Sequence, residues 1–177
     1  TKPSHRWESS YPEDGLVLMV TIRSLCANDG STPFNRDYAW FSADEARRLL
    51  PASPKRGERY RVPSELHLRL ARHHLLDSAR GESGGFAPRE VKGGLQVEVL
   101  AVDNKKVRIR ITGTSYANAD PPADSDWRPQ RIETRLLGFA TFDRASRRFD
   151  AFELLATGTV PPRAKKPTRP MGGLFTL

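Results

Sequence analysis

LQVEVLAVDNKKVRIRIT, residues 95–112, decides how this chain folds. Leu95, Val97, Val99 and Ala101 alternate with Gln96, Glu98, Leu100 and Val102; Val107, Ile109 and Ile111 alternate with Arg108, Arg110 and Thr112. A period of two puts successive side chains on opposite faces, so each run reads as a strand. Asp103-Asn104-Lys105 is then the loop of a hairpin. Matching the apolar faces pairs Val99 with Ile109 and Val97 with Ile111. A slip of one residue would carry Arg108 and Arg110 into the core, so the register is well specified. On the wet face Glu98 meets Arg110, a favourable cross-strand pair.

Toward the C-terminus, Ile132–Phe142 and Phe149–Thr157 form a second hairpin around Asp143-Arg144-Ala145-Ser146. Leu136, Leu137 and Phe139 on one strand, and Phe152, Leu154 and Leu155 on the other, are apolar on both faces. Such strands are expected at the centre of a sheet covered on both sides. Gly138 marks a bulge or a close backbone approach. Residues 116–130 read as a polar crossover loop, and MGGLFTL, residues 171–177, as a last strand returning to the sheet edge.

Toward the N-terminus, Leu16–Cys26 opens with an apolar run and passes into alternation, as a buried strand does. Asn28-Asp29-Gly30-Ser31 is a turn, and Asp37–Phe41 a short aromatic strand. Ser42 and Glu45 make a capping box for a short helix over Ala43–Leu50, stopped by Pro51. Tyr60–Val62 is a brief extended entry to the main helix, and Pro88 starts a single helical turn.

That main helix is PSELHLRLARHHLLDSAR, Pro63–Arg80, with Pro63 at its first position and Gly81 as its C-cap. Leu66, Leu68, Leu70, Ala71 and Leu75 share one arc, while Glu65, Arg69 and Arg72 lie opposite. His67 and His74 fall near the middle of the apolar arc, two turns apart. The fold expected is therefore α+β: an antiparallel β-meander, a curled sheet or partly open barrel, packed against one main helix. Residues 1–15 form an N-terminal arm, 16–160 a single domain, 161–170 a basic proline-rich linker, and 171–177 the returning strand.

The formal net charge is +8. That attracts anionic ligands or polymers in general without choosing among them. Arg163, Lys165, Lys166 and Arg169 concentrate part of it in the tail. The single cysteine, Cys26, excludes an intrachain disulfide and any cysteine-rich metal site, and reads as a buried thiol. No apolar run is long enough to span a bilayer. The chain begins at Thr1 rather than Met, as in a trimmed or processed protein whose signal peptide is out of view.

Chemical motifs are scarce. HExxH and CxxC patterns are missing, and Asp120, Asp124 and Asp126 lack the EF-hand spacing, so neither metal nor cofactor is expected. Gly84-Gly85 has no phosphate-loop pattern around it and reads as a plain loop. Core histidines satisfied by backbone carbonyls or by Asp77 are the simplest reading of His67 and His74. A general base at His74, with Asp77 orienting the ring and Arg80 holding an anionic group, is the catalytic alternative.

YAWFSADEARRLLP (residues 38–51), HLLDSARG (74–81), FELLATG (152–158) and PMGGLF (170–175) together resemble a set of exported bacterial proteins of the planctomycete type. The resemblance spans residues 37–177. It implies one compact domain in the periplasm or outside the cell, and no activity. Three functions follow as expectations. The first is an extracytoplasmic binding or structural domain, with His67, Arg108 and Arg110 as ligand contacts. The second is a hydrolase-like enzyme using His74, Asp77 and Arg80. The third is an electrostatic binder of nucleic acid or acidic polymer through Arg108, Arg110, Arg131 and Arg135; base stacking would need aromatics that the strand Val107–Thr112 lacks.

Overall fold

Val99 pairs with Ile109, Val97 with Ile111 and Glu98 with Arg110, the register that the alternation dictates. The computed structural model describes residues 11–25, 34–76, 85–119, 130–160 and 169–177. In chain order the elements are β1 (Leu16–Ser24), β2 (Phe34–Phe41), α1 (Ala43–Arg47), β3 (Arg59–Arg61), α2 (Ser64–His73), a 3-10 turn (Pro88–Glu90), β4 (Val91–Val102), β5 (Lys106–Ala119), β6 (Gln130–Asp143), β7 (Arg148–Val160) and β8 (Arg169–Thr176). All eight strands form one antiparallel sheet, ordered β2-β1-β8-β7-β6-β5-β4-β3 and not closed. The molecule is mostly β. Its helices are short.

Asp103 and Asp143 start the two tight turns of the meander. Asp103 Oδ1 accepts from the Lys105 and Lys106 N–H groups at 2.7 and 2.8 Å. Asp143 Oδ1 accepts from the Ala145 and Ser146 N–H groups at 2.9 and 2.7 Å. These side chains replace backbone turn bonds, which is why Asp recurs at such positions. The Ser42 capping box forms as expected, with Glu45 N–H on Ser42 Oγ and Ser42 N–H on Glu45 Oε2. Gly138 sits at a close approach: a Cβ there would lie 2.3 Å from the Glu153 carbonyl oxygen.

Four expectations need correction. The C-terminal strand does not return to an edge. β8 lies between β1 and β7 and joins the N-terminal hairpin to the meander. β5 runs on to Ala119, so the first part of the expected 116–130 loop is strand, its N–H and C=O groups paired with β4 and β6. The main helix ends at His73, and Pro63 is its N-cap rather than its first residue. The early end has a tertiary cause. The Arg72 carbonyl accepts the Phe86 N–H, Arg72 Nε donates to the Phe86 carbonyl, and Leu75 N–H turns back to the Leu70 carbonyl. The returning chain caps the helix, and Asp77, Arg80 and Gly81 lie outside the described residues. Fourth, the outer face of the central strands is uncovered among the described residues. Cys26, the acidic residues 120–126, most of the basic linker and most of the N-terminal arm also lie outside the described residues.

Helix α2 dictates the shape of the sheet. In a flat sheet of eight strands the outermost two would lie about 34 Å apart. Yet α2, a rod roughly 10 Å wide, packs on β4 and β5 and also reaches β2 at the other edge. Arg69 donates to the Trp40 carbonyl and gives two hydrogen bonds to the Glu45 carboxylate on α1, one to each oxygen. Arg48 pairs with Glu65, and Tyr60 OH donates to the Arg48 carbonyl. The sheet therefore curls around one face, and α2 bridges its open side. Leu66, His67, Leu70 and Ala71 are the helix's contribution to a core that includes Leu18, Val97, Ile109, Leu154 and Phe175.

Candidate functional site

The convex, outer face of the sheet carries an apolar row that nothing in the described chain covers. Registers place Thr21, Leu174, Leu155, Leu137 and Thr112 side by side across β1, β8, β7, β6 and β5. Leu174, Leu155 and Leu137 are 43%, 47% and 49% exposed. Phe139, two residues along β6, is 52% exposed and lies between Arg110 and Glu153. Met19, Tyr38 and Trp40 continue the patch onto β1 and β2. The expectation that the central strands are covered on both faces is thus corrected: the described helices, α2 and α1, pack on the inner face, and the outer side chains stay wet.

Cations ring this patch. Arg23 and Arg135 flank the row on one side, Arg108 and Arg110 on the other, and Arg61 stands at the β3 edge. Arg110 donates to Glu98 at 2.5 Å, so that carboxylate is neutralised. Arg131 stacks over the Tyr116 ring, 5.1 Å from its centroid. Glu133, Glu153, Asp143 and Asp150 are further acids on this side of the sheet, and Asp150 is paired with Lys106 at 2.6 Å. The balance is strongly positive.

A second candidate lies at the end of the sheet where β1, β5 and β7 finish. His74, the C-cap of α2, holds its Nδ1 2.8 Å from Asp37 Oδ2 on β2. Asp37 Oδ1 accepts the Tyr38 N–H, which fixes the carboxylate. If Nδ1 carries the proton, Nε2 is left as the acceptor. Burial pushes the ring below the ordinary histidine range, and Asp37 pulls it part of the way back. His73 is lowered by burial and by the charges of Arg72 and Arg69. Asn35, Asp37, His73, His74 and Leu76 line a cleft of about 220 Å³. Deeper in the same end, Ser115 and Thr134 face each other on the inner wall. Ser24 Oγ, Thr134 Oγ1 and His67 Nε2 are buried there without a hydrogen-bond partner.

The expected site residues therefore divide. His67 is buried in the core near the Thr114 backbone, which favours its protonated form while burial opposes it. His74 takes Asp37 as its partner, 37 residues away in sequence. Local spacing could point only to Asp77, which with Arg80 lies outside the described residues. Arg108 and Arg110 are on the outer face, remote from both histidines in register. Among the described residues no group of three or more His, Cys, Asp or Glu side chains could hold a metal ion. No described helix is long and apolar enough to cross a membrane. No protein-family model, curated protein or solved structure matches the chain.

The apolar row was legible as residue types but not as a surface. Leu137, Phe139, Leu155 and Leu174 stand out in the sequence as a second apolar face. Only the position of α2 shows which face stays uncovered.

Proposed function

We propose that this chain is a non-enzymatic, extracytoplasmic binding domain that engages an anionic macromolecular surface through the outer face of its sheet. One observation carries the reading: Leu174, Leu155 and Leu137 lie exposed in a single row on three adjacent central strands. An antiparallel sheet with one wet face ordinarily alternates apolar inside and polar outside. A contiguous apolar patch rimmed by polar groups marks an interaction surface. The extracytoplasmic placement follows the family resemblance of the sequence. The test is a hydrophobic fluorescent dye added to the folded protein. The triple variant Leu137→Thr, Leu155→Thr, Leu174→Thr is expected to keep its melting temperature and lose most of the dye signal. Dye binding that survives all three changes would remove this face as the binding surface.

A second reading rests on the His74–Asp37 contact of 2.8 Å. A carboxylate that orients an imidazole leaves Nε2 free to accept a proton, the geometry of a general base in a hydrolase-like enzyme. In this reading Asp37 takes the orienting role that the sequence assigned to Asp77. Hydrolysis of p-nitrophenyl acetate is then expected to fall about a hundredfold in His74→Gln, the scale of a lost general base. An unchanged rate rules the reading out.

A further inference from the structure

We infer that the outer face seats on the surface of an anionic lipid bilayer. The inference rests on the reading that this face is what the protein binds with, and it names the partner.

The chemistry of the face sets the requirements. Its centre is aliphatic and its rim cationic, so the partner must accept apolar side chains where it is also negatively charged. A bilayer of anionic lipid offers both in one plane, acyl chains beneath charged headgroups. Arginine suits the rim because its stem lies along apolar surface while its guanidinium stays at headgroup level. Tyr38 and Trp40, both exposed on β2, carry amphipathic rings of the kind that settle at a membrane interface.

The alternatives fit less well. A second copy docked face to face would set Arg23, Arg108 and Arg135 against their equals, and like charges brought together across an interface are costly. Nucleic acid would match the charge, and Phe139, Tyr38 and Trp40 could each take a base, but the row between them is Leu174, Leu155 and Leu137, aliphatic side chains that break any continuous stacking platform. Shape points the same way. Because the sheet curls toward α2, its outer face is convex, and a rigid protein partner would need a matching hollow. A fluid bilayer conforms to a convex crest. Glu133, Glu153 and Asp143 oppose binding and Asp150 is neutralised by Lys106, but Arg23, Arg61, Arg108, Arg131 and Arg135 outnumber the opposing acids.

The test is co-sedimentation of the full chain with vesicles of phosphatidylglycerol and phosphatidylcholine, against vesicles of phosphatidylcholine alone. Binding to the anionic vesicles is expected to be at least about tenfold stronger, given the rim charges. It should weaken at least about tenfold in Leu155→Asp and again in Arg135→Glu. If Leu155→Asp fails to fold, Leu155→Gln carries the same test without adding charge. Anionic-vesicle binding that both Leu155 variants leave unchanged overturns the inference, since charge alone would explain it. Equal competition by single-stranded oligothymidylate overturns it in favour of nucleic acid. No vesicle binding, with the dye signal on the outer face intact, overturns the lipid partner and leaves the binding face standing. No dye signal and no vesicle binding removes both.

Discussion

Leu154 and Leu155 are neighbours on β7 with the same side chain and opposite fates. Leu154 is fully buried, while Leu155 is 47% exposed; Leu136 and Leu137 on β6 repeat the contrast at 4% and 49%. Local sequence cannot tell the members of each pair apart. The difference is tertiary: among the described residues α2, helped by α1, covers one face of eight strands, and the curl needed to bring both edges to it leaves the other face outside. One apolar face is satisfied within the chain; the other is exposed in it, and the proposed docking surface is that second face.

The matched truncations break or sharpen that contrast most directly. Leu154→Ala removes a side chain enclosed by the core and is expected to cost about 2–5 kcal/mol of unfolding free energy. Leu155→Ala removes the same atoms from a wet surface and should move stability by no more than about 0.5 kcal/mol. Denaturant unfolding of the two variants against the parent protein checks both. Equal losses would mean that the outer face is packed in the free protein, and the docking reading would fall with it.

Much of the architecture was legible in the sequence, because pattern and charge agree there. Alternation with Arg108 and Arg110 outside left one register for β4 and β5, and the Asp-initiated turns fixed both hairpin loops. Ser42 and Glu45 announced their helix. What escaped was whatever depends on distant segments. Pro63–Arg80 reads as one amphipathic helix, but Phe86 takes the Arg72 carbonyl and ends it at His73. Tyr116–Ala119 reads as polar loop, but two neighbouring strands supply partners for its backbone. MGGLFTL reads as an edge strand because it comes last, whereas the gap it fills lies between β1 and β7. His74 illustrates the same limit at the candidate site, since its partner Asp37 belongs to another element.

The inner face also has a polar member, and it offers a smaller and more selective test of how dry that face is. His67 is 2% exposed, its Nε2 has no partner, and burial holds its pKa below the ordinary value of about 6.5. In the unfolded chain the ring takes a proton as pH falls through about 6.5, while the folded ring stays neutral until a lower pH. Across that window the unfolded state binds more protons, so stability declines as pH drops, by up to about 1.4 kcal/mol per pH unit for each such histidine. His74, also lowered by burial, adds to the slope, while exposed His73 is screened by water and adds little. Unfolding curves at pH 7.5 and pH 5 should therefore show a loss in the parent protein and a smaller loss in His67→Leu. The leucine also removes the unpartnered nitrogen, so the variant should be at least as stable as its parent at pH 5. An identical pH slope in the two proteins would mean that His67 is hydrated in solution, and the inner face would then be wet at the level of Thr114 as the outer face is at Leu155.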